Sequence, residues 1–226
     1  MTKDFLRSNF IFICVGAVIV LTYPVAFFSK GQLELLINQN HYPFLDLFFK
    51  YVTHLGDGIT LAILMIFLLL RNYSLAIIAA FSIVIQSLLV SLLKRWIFKG
   101  LERPLAFFDE SVSLNLVDGV DVHSFNTFPS GHTATGFALM ALIFVVLKNR
   151  GVILSTFIFC LAFCVGFSRV YLVQHFVIDV YFGAILGILS VVLGLYLAES
   201  IFSEQQLINW NQKSLRTSLF KKNTPN

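Results

Sequence analysis

Six apolar runs, at residues 10–28, 59–70, 74–93, 131–147, 152–167 and 177–198, set the terms on which this chain folds. A run of about 20 apolar residues crosses a bilayer as a helix, because there the segment must satisfy its own backbone N–H and C=O groups. The second run is short, but residues 41–57 before it carry aromatic and apolar side chains at helical spacing, so that helix is expected to begin earlier. The first run follows Lys3 and Arg7 as a signal peptide would. It is nonetheless too long for a signal h-region, contains Pro24 and lacks an A-x-A cleavage pattern, so it reads as an uncleaved span. The expected fold is all-α, an integral membrane bundle of about six helices. Residues 1–202 are expected to form its one domain, and residues 203–226 a polar cytoplasmic tail.

Composition agrees. Only 12% of the 226 residues are charged and the mean hydropathy is +0.84, which excludes the charged surface of a soluble domain. The net charge of +4 does not indicate nucleic acid, because the basic residues fall in short loops and the tail beside apolar runs. An even number of spans puts both termini on one side, with the turns at Arg71 and at residues 148–150. That side holds Lys3, Arg7, Arg71, Lys148, Arg150, Lys213, Arg216, Lys221 and Lys222 against Asp4, Glu199 and Glu204, nine basic residues to three acidic, or +6. The other side holds seven basic and nine acidic, or −2. Cytoplasmic loops gather Lys and Arg, so the termini are expected in the cytoplasm and the long connection at residues 100–128 outside. Cys14, Cys160 and Cys164 lie in apolar runs, where a thiol acts as a small hydrophobic side chain.

Three polar clusters fall at helix ends that this topology brings to the outward face. The first is Lys94, Arg95, Lys99, Arg103 and Pro104; the second is Pro129, Ser130, Gly131 and His132; the third is Ser168, Arg169, His175 and Asp179. Ser130 sits where an N-cap belongs and Gly131 lets a ligand approach the backbone, so the fourth run opens as an anion site. Plain capping accounts for Ser130 and Gly131, but not for an imidazole at position 132. His175 and Asp179 are four residues apart, which places ring and carboxylate on one helical face. Such a pair is either structural or a nucleophile with its orienting acid. Arg103 and Arg169 suit bidentate recognition of phosphate, with Lys94 as a point charge, while snorkelling toward headgroups is the alternative for each taken singly. Together the groups supply the roles that phosphoryl transfer through a covalent intermediate requires.

These residues resemble the type 2 phosphatidic acid phosphatase superfamily, whose pattern is a Lys before Arg-Pro, then PSGH, then SR-x5-H-x3-D. FPSGHT stands at Phe128 to Thr133 and SRVYLVQHFVID at Ser168 to Asp179, with the gaps of five and three residues intact. The first motif departs from the family's usual six intervening residues. Eight lie between Lys94 and Arg103, seven between Arg95 and Arg103, and three between Lys99 and Arg103, so Lys94 is favoured with Arg95 and Lys99 as alternatives. The resemblance implies that His175 attacks phosphorus, that Asp179 orients it and that His132 protonates the leaving oxygen. It further implies that Lys94, Arg103, Ser130, Gly131 and Arg169 hold the phosphoryl oxygens. No metal or other cofactor is expected.

The reading is therefore a metal-independent lipid phosphatase of a bacterial inner membrane. Its expected substrate is a polyprenyl diphosphate, ahead of phosphatidylglycerol phosphate, phosphatidic acid and lipid A. Its expected partners are that phosphorylated lipid and the bilayer. A lipid phosphotransferase or haloperoxidase-like oxidant with the same pocket is the second class, and a non-enzymatic transporter the third. His41, His54 and His123 have no partner at a telling spacing, and Asp109, Glu110, Asp118 and Asp121 read as a solvated loop.

Overall fold

The computed structural model describes residues 1–147 and 151–215. Of the charges counted above, Lys148, Arg150, Arg216, Lys221 and Lys222 lie outside the described residues. Within them the chain forms α1 (Thr2–Leu6), α2 (Asn9–Phe27), α3 (Gln32–Asn38), α4 (Pro43–Val52), α5 (Gly58–Arg71) and α6 (Tyr73–Leu92). There follow α7 (Pro104–Phe107), α8 (Gly131–Val146), α9 (Val152–Tyr171), α10 (Val177–Ile201) and α11 (Glu204–Asn211). Among the described residues the only β pairing is one isolated bridge, Glu102 with Phe125.

The six apolar runs take three forms. Helices α2, α9, α10 and α6 with its extension to Ile97 are each long and apolar enough to cross a membrane. The short second run does begin earlier: α4 and the 3₁₀ turn Thr53–Gly56 precede α5, and the pair bends by 52°. Helix α8 is only 16 residues, about 24 Å at 1.5 Å per residue, against about 30 Å of hydrocarbon. It is short without cost because it is the centre of the bundle, packed by α5, α6, α9 and α10, with most of its side chains buried.

Lipid tails are as apolar as leucine, so helices in a membrane associate through close packing rather than hydrophobic gain, and small residues permit it. Helix α10 shows this along one stripe. A Cβ on Gly183 would lie 2.6 Å from the Ser130 carbonyl, one on Gly187 would overlap the Ala134 carbonyl, and one on Gly194 would overlap Ser82 Oγ. The first two contacts seat α10 on the opening turns of α8, and the third seats it on α6.

The long polar connection and the start of α8 lie at one end of the bundle. At the other end Glu199 accepts the Thr2 N–H at 3.0 Å, and the Tyr73 N–H donates to the Lys213 carbonyl at 3.0 Å. There α11 packs on α6, with Trp210 edge-on to Phe202 at 4.9 Å between ring centroids, so part of the segment read as a tail is an ordered helix.

Replacing Gly187 by valine should push α10 off α8. Overpacking of this kind costs roughly 1–3 kcal/mol, so thermal unfolding in detergent should fall by several degrees relative to wild type. An unchanged midpoint would show that the contact does not hold the bundle.

Candidate active site

Helix α9 ends by delivering His175. The Val173 N–H donates to the Val170 carbonyl at 3.0 Å and the Gln174 N–H to the Arg169 carbonyl at 2.9 Å, the pair of bonds that closes a Schellman turn. The left-handed position of that turn, ordinarily glycine, is Val173 at φ 58°, a conformation that costs an L residue about 1–2 kcal/mol. The Arg169 carbonyl also accepts the His175 N–H at 3.0 Å. The five residues between Arg169 and His175 are thus the length of one helix-terminating turn, which aims both side chains into the same place.

Helix α10 then starts at once. Asp179, in its first turn, accepts the Phe176 N–H on Oδ2 at 2.9 Å, and the same oxygen faces His175 Nδ1 at 3.3 Å. Thr127 donates its hydroxyl to that oxygen and lies 3.3 Å from His175 Nδ1. A ring whose Nδ1–H is turned to a carboxylate has Nε2 free as a nucleophile. Glu34 caps the helix from outside, accepting the Val177 N–H at 2.7 Å. The Asp179 carbonyl accepts the Ser130 N–H at 3.0 Å, which ties the start of α8 to the start of α10.

At that start, the Ser130 hydroxyl accepts the Thr133 N–H at 3.3 Å and the Thr133 hydroxyl at 2.8 Å, so Ser130 is a true N-cap. Packing does not require glycine at 131, where a Cβ would meet only Val90 Cγ1 at an ordinary 3.6 Å. His132 is half-buried and places Nε2 2.7 Å from Asp57 Oδ1.

Three cations converge on His175. The charges of Arg103, Lys94 and Arg169, and the His132 ring, all bear on it. Arg103 is buried, its Nε donating to the Phe125 carbonyl at 3.0 Å and one terminal nitrogen to Gln174 Oε1 at 3.0 Å. Gln174 in turn donates to the Asp121 carbonyl at 2.7 Å. Arg169 is buried, donates to Thr53 Oγ1 at 2.7 Å, and keeps a buried Nε without a hydrogen-bond partner among the described residues. None of the three makes an ion pair with a carboxylate among the described residues. The helix of α6 runs on as a π-turn, Leu93–Ile97, and within it Lys94 is half-buried whereas Arg95 is exposed. Arg95 and Lys99 line a separate surface depression with Trp96 and Asn126. Of the three candidates for the first-motif cation, Lys94 alone is among the charges that bear on His175.

The sequence profile of the PAP2 superfamily matches residues 75–202, more than half of the chain and every motif residue from Lys94 to Asp179. The chain belongs to the PAP2 superfamily. It is 34% identical over 101 residues to the bacitracin transport permease protein BcrC of Bacillus licheniformis, covering 45% of this chain and 48% of that protein. It is 35% identical over 85 residues to the lipid A 1-phosphatase of Porphyromonas gingivalis, covering 38% of this chain and 19% of that protein. The matches therefore span about half of one relative and a fifth of the other. Among solved structures, Aquifex aeolicus LpxE superposes with a TM-score of 0.64 at 29% identity over 75% of this chain and 97% of that one. The PAP2-type phosphatidylglycerolphosphate phosphatase of Bacillus subtilis shares the fold, with a TM-score of 0.57 at 22% identity over 85% and 97%.

Several groups that complete this PAP2 site are not among the residues its motifs specify. Thr127, Thr53, Gln174 and Asp57 carry no spacing signal, because each reaches its partner through tertiary packing. His54 and His41, read as unpartnered, have partners: His54 Nδ1 is 2.8 Å from Asp57 Oδ2, and His41 Nδ1 is 3.0 Å from Asp46 Oδ1. His41 also stacks on Tyr171 at 4.1 Å.

Burial, then the charges of Arg103, Lys94 and Arg169, hold the His175 ring neutral to well below its ordinary value near 6.5. Below about pH 6.5 the unfolded chain takes up a proton that the folded one refuses, so stability falls as pH falls, by at most about 1.4 kcal/mol per unit. Unfolding midpoints in detergent should drop between about pH 7 and pH 5, with a shallower slope in His175→Asn. Equal slopes would mean that the folded ring titrates normally.

Proposed function

We propose that this PAP2 protein is a lipid phosphatase, a multi-pass protein of a bacterial inner membrane with its site on the outer side and its termini in the cytoplasm. The observation that carries the reading is the convergence of Lys94, Arg103 and Arg169 on a buried imidazole, with no carboxylate paired to them among the described residues. Buried cations are costly unless an anion offsets them, and a phosphoryl group with three oxygens matches two guanidinium forks and an ammonium. A transporter reading would place its charges through the depth of the bilayer; here they gather at one end of the bundle.

The substrate's lipid character is supported by a groove of about 640 Å³ between α5 and α6. It begins at Gly131 and His132 and runs past Val90, Val84 and Ala80 on one wall and Ala62 and Met65 on the other. Ten residues of α6 correspond to about 15 Å of bilayer depth, room for the first part of a hydrocarbon tail whose headgroup stays at the mouth. A polyprenyl diphosphate is the first candidate, followed by glycerophospholipid phosphates and lipid A.

In the proposed reaction the Nε2 lone pair of His175 forms a bond to phosphorus while the P–O bond to the lipid breaks, and the departing oxygen takes a proton from His132. Water then attacks the phosphohistidine, giving its proton back to His132, and the P–N bond breaks to release phosphate and neutral His175. Asp179 and Thr127 hold the ring through Nδ1. Lys94, Arg103, Arg169 and the N–H groups at the start of α8 face the equatorial oxygens, where charge accumulates. These fixed charges supply the neutralisation that a metal would otherwise give, and His175 with Asp179 and His132 needs none to act.

Purified protein in micelles should release phosphate from lipid phosphates with undiminished turnover in EDTA. His175→Ala should lose at least about 10⁴-fold in kcat/KM while still unfolding in a cooperative transition above the assay temperature. Wild-type-like release from that variant, or strict dependence on added magnesium, would refute the mechanism. Product analysis with and without an alcohol acceptor separates hydrolysis from phosphotransfer.

A further inference from the structure

Asp57 occupies the N-cap position of α5, where an aspartate ordinarily accepts a backbone N–H of the helix it starts. Its side chain makes no such bond. Both carboxylate oxygens are turned instead to imidazoles, Oδ1 to His132 Nε2 at 2.7 Å and Oδ2 to His54 Nδ1 at 2.8 Å. Capping therefore does not explain the residue, and no role in holding phosphate suits a carboxylate among phosphoryl-binding cations.

We propose that Asp57 is a positioning residue for His132, a second carboxylate–imidazole pair serving the leaving-group side of the site as Asp179 serves His175. The proposal rests on the phosphatase reading above. The carboxylate is held firmly enough for the task. A Cβ on Gly56 would lie 2.7 Å from the His132 carbonyl and 2.9 Å from Val165 Cγ1, so the turn carrying Asp57 rests directly on α8 and α9. Thr53 in the same turn receives Arg169, and Thr60 Oγ1 donates to the Asp57 carbonyl at 2.7 Å. The bend between α4 and α5 thus serves the site, since it lays this turn across the first turn of α8.

An imidazole has two nitrogens, and with Nε2–H given to Asp57, Nδ1 is the one available to the reacting oxygens. In the first step the ring, which takes up a proton on Nδ1 as the phosphate anion binds beside it, gives that proton to the departing alkoxide and becomes the neutral tautomer with hydrogen on Nε2. In the second, water loses a proton to Nδ1 as its oxygen bonds to phosphorus and the P–N bond breaks, restoring the cation opposite Asp57. Without the carboxylate the ring is free to turn and to hold its hydrogen on the wrong nitrogen. His54 is mostly exposed and touches only the far oxygen, which makes it the outer support of the same carboxylate.

The test uses the full-length protein in micelles with two substrates: an alkyl lipid phosphate, whose leaving alkoxide needs a proton, and p-nitrophenyl phosphate, whose leaving phenolate does not. Asp57→Asn should lose about 10²-fold in kcat on the alkyl substrate with little change in KM, whereas with the nitrophenyl ester the pre-steady-state burst of nitrophenolate, which needs no proton from His132, should slow by less than about threefold. The Asp57→Asn/His132→Ala double variant should be no worse than His132→Ala alone, since the two act through one proton. Equal losses in alkyl turnover and in the nitrophenolate burst, a loss confined to KM, or additive effects would reduce Asp57 to a structural residue. A gain in activity would show that the carboxylate obstructs the site, and either result overturns the proposal. Wild-type protein that releases no phosphate from either substrate overturns the phosphatase reading itself, whereas an active wild type beside an unaffected Asp57→Asn overturns only the role of Asp57.

Discussion

Arg169 links the backbone of this site to its electrostatics. Its carbonyl receives the N–H groups of Gln174 and His175, and its guanidinium, reaching Thr53, keeps a buried Nε without a partner among the described residues and bears on the imidazole. One residue therefore fixes where the imidazole stands and supplies a charge beside it. The neutral state of His175 depends on this arrangement, because burial and the flanking cations both disfavour a proton on the ring. A nucleophile needs its lone pair, and an anion needs cations. Placing the imidazole among arginines that have no carboxylate partner among the described residues meets both needs with the same groups.

A cluster of like charges in a low-dielectric bundle repels itself, so the fold must hold it by other means. The glycine stripe of α10 does so at Gly183 and Gly187, where the helix lies close enough to α8 for the Ser130 N–H to reach the Asp179 carbonyl. Two motifs nearly fifty residues apart in sequence are thereby joined by one main-chain hydrogen bond. Close packing of small residues is a membrane protein's principal means of tightening helices, and here it is concentrated where the charges meet.

The legible part of the molecule was the part written in local spacing. Apolar runs gave the helices to within a few residues, and the SR-x5-H-x3-D gaps encode a Schellman turn followed at once by a helix start. What could not be read is tertiary. Thr127 looks like any loop threonine until the connection from α6 folds back and the Arg103 N–H meets the Ser124 carbonyl. Two more residues than the family's six lie between Lys94 and Arg103, and the chain takes up part of that length by widening the end of α6 into a π-turn. Asp57 carried the opposite problem: its position before an apolar run has so ordinary an explanation as a cap that its engagement with two histidines leaves no trace in sequence.

The two imidazoles then differ in a way that fits their proposed tasks. His175 is almost wholly buried and its acid partner is buried with it, a setting that excludes water and preserves a neutral ring. His132 and Asp57 are each about one-third exposed, at 38% and 33%, and their carboxylate is shared with an exposed histidine. A group that must give up a proton in one half of a cycle and recover it in the other works best where water can reach it. A group that must form a bond to phosphorus works best where water cannot. The same pair of residue types is thus tuned to two chemistries by depth alone, one pair sunk between α9 and α10 and the other set at the mouth between α5 and α8.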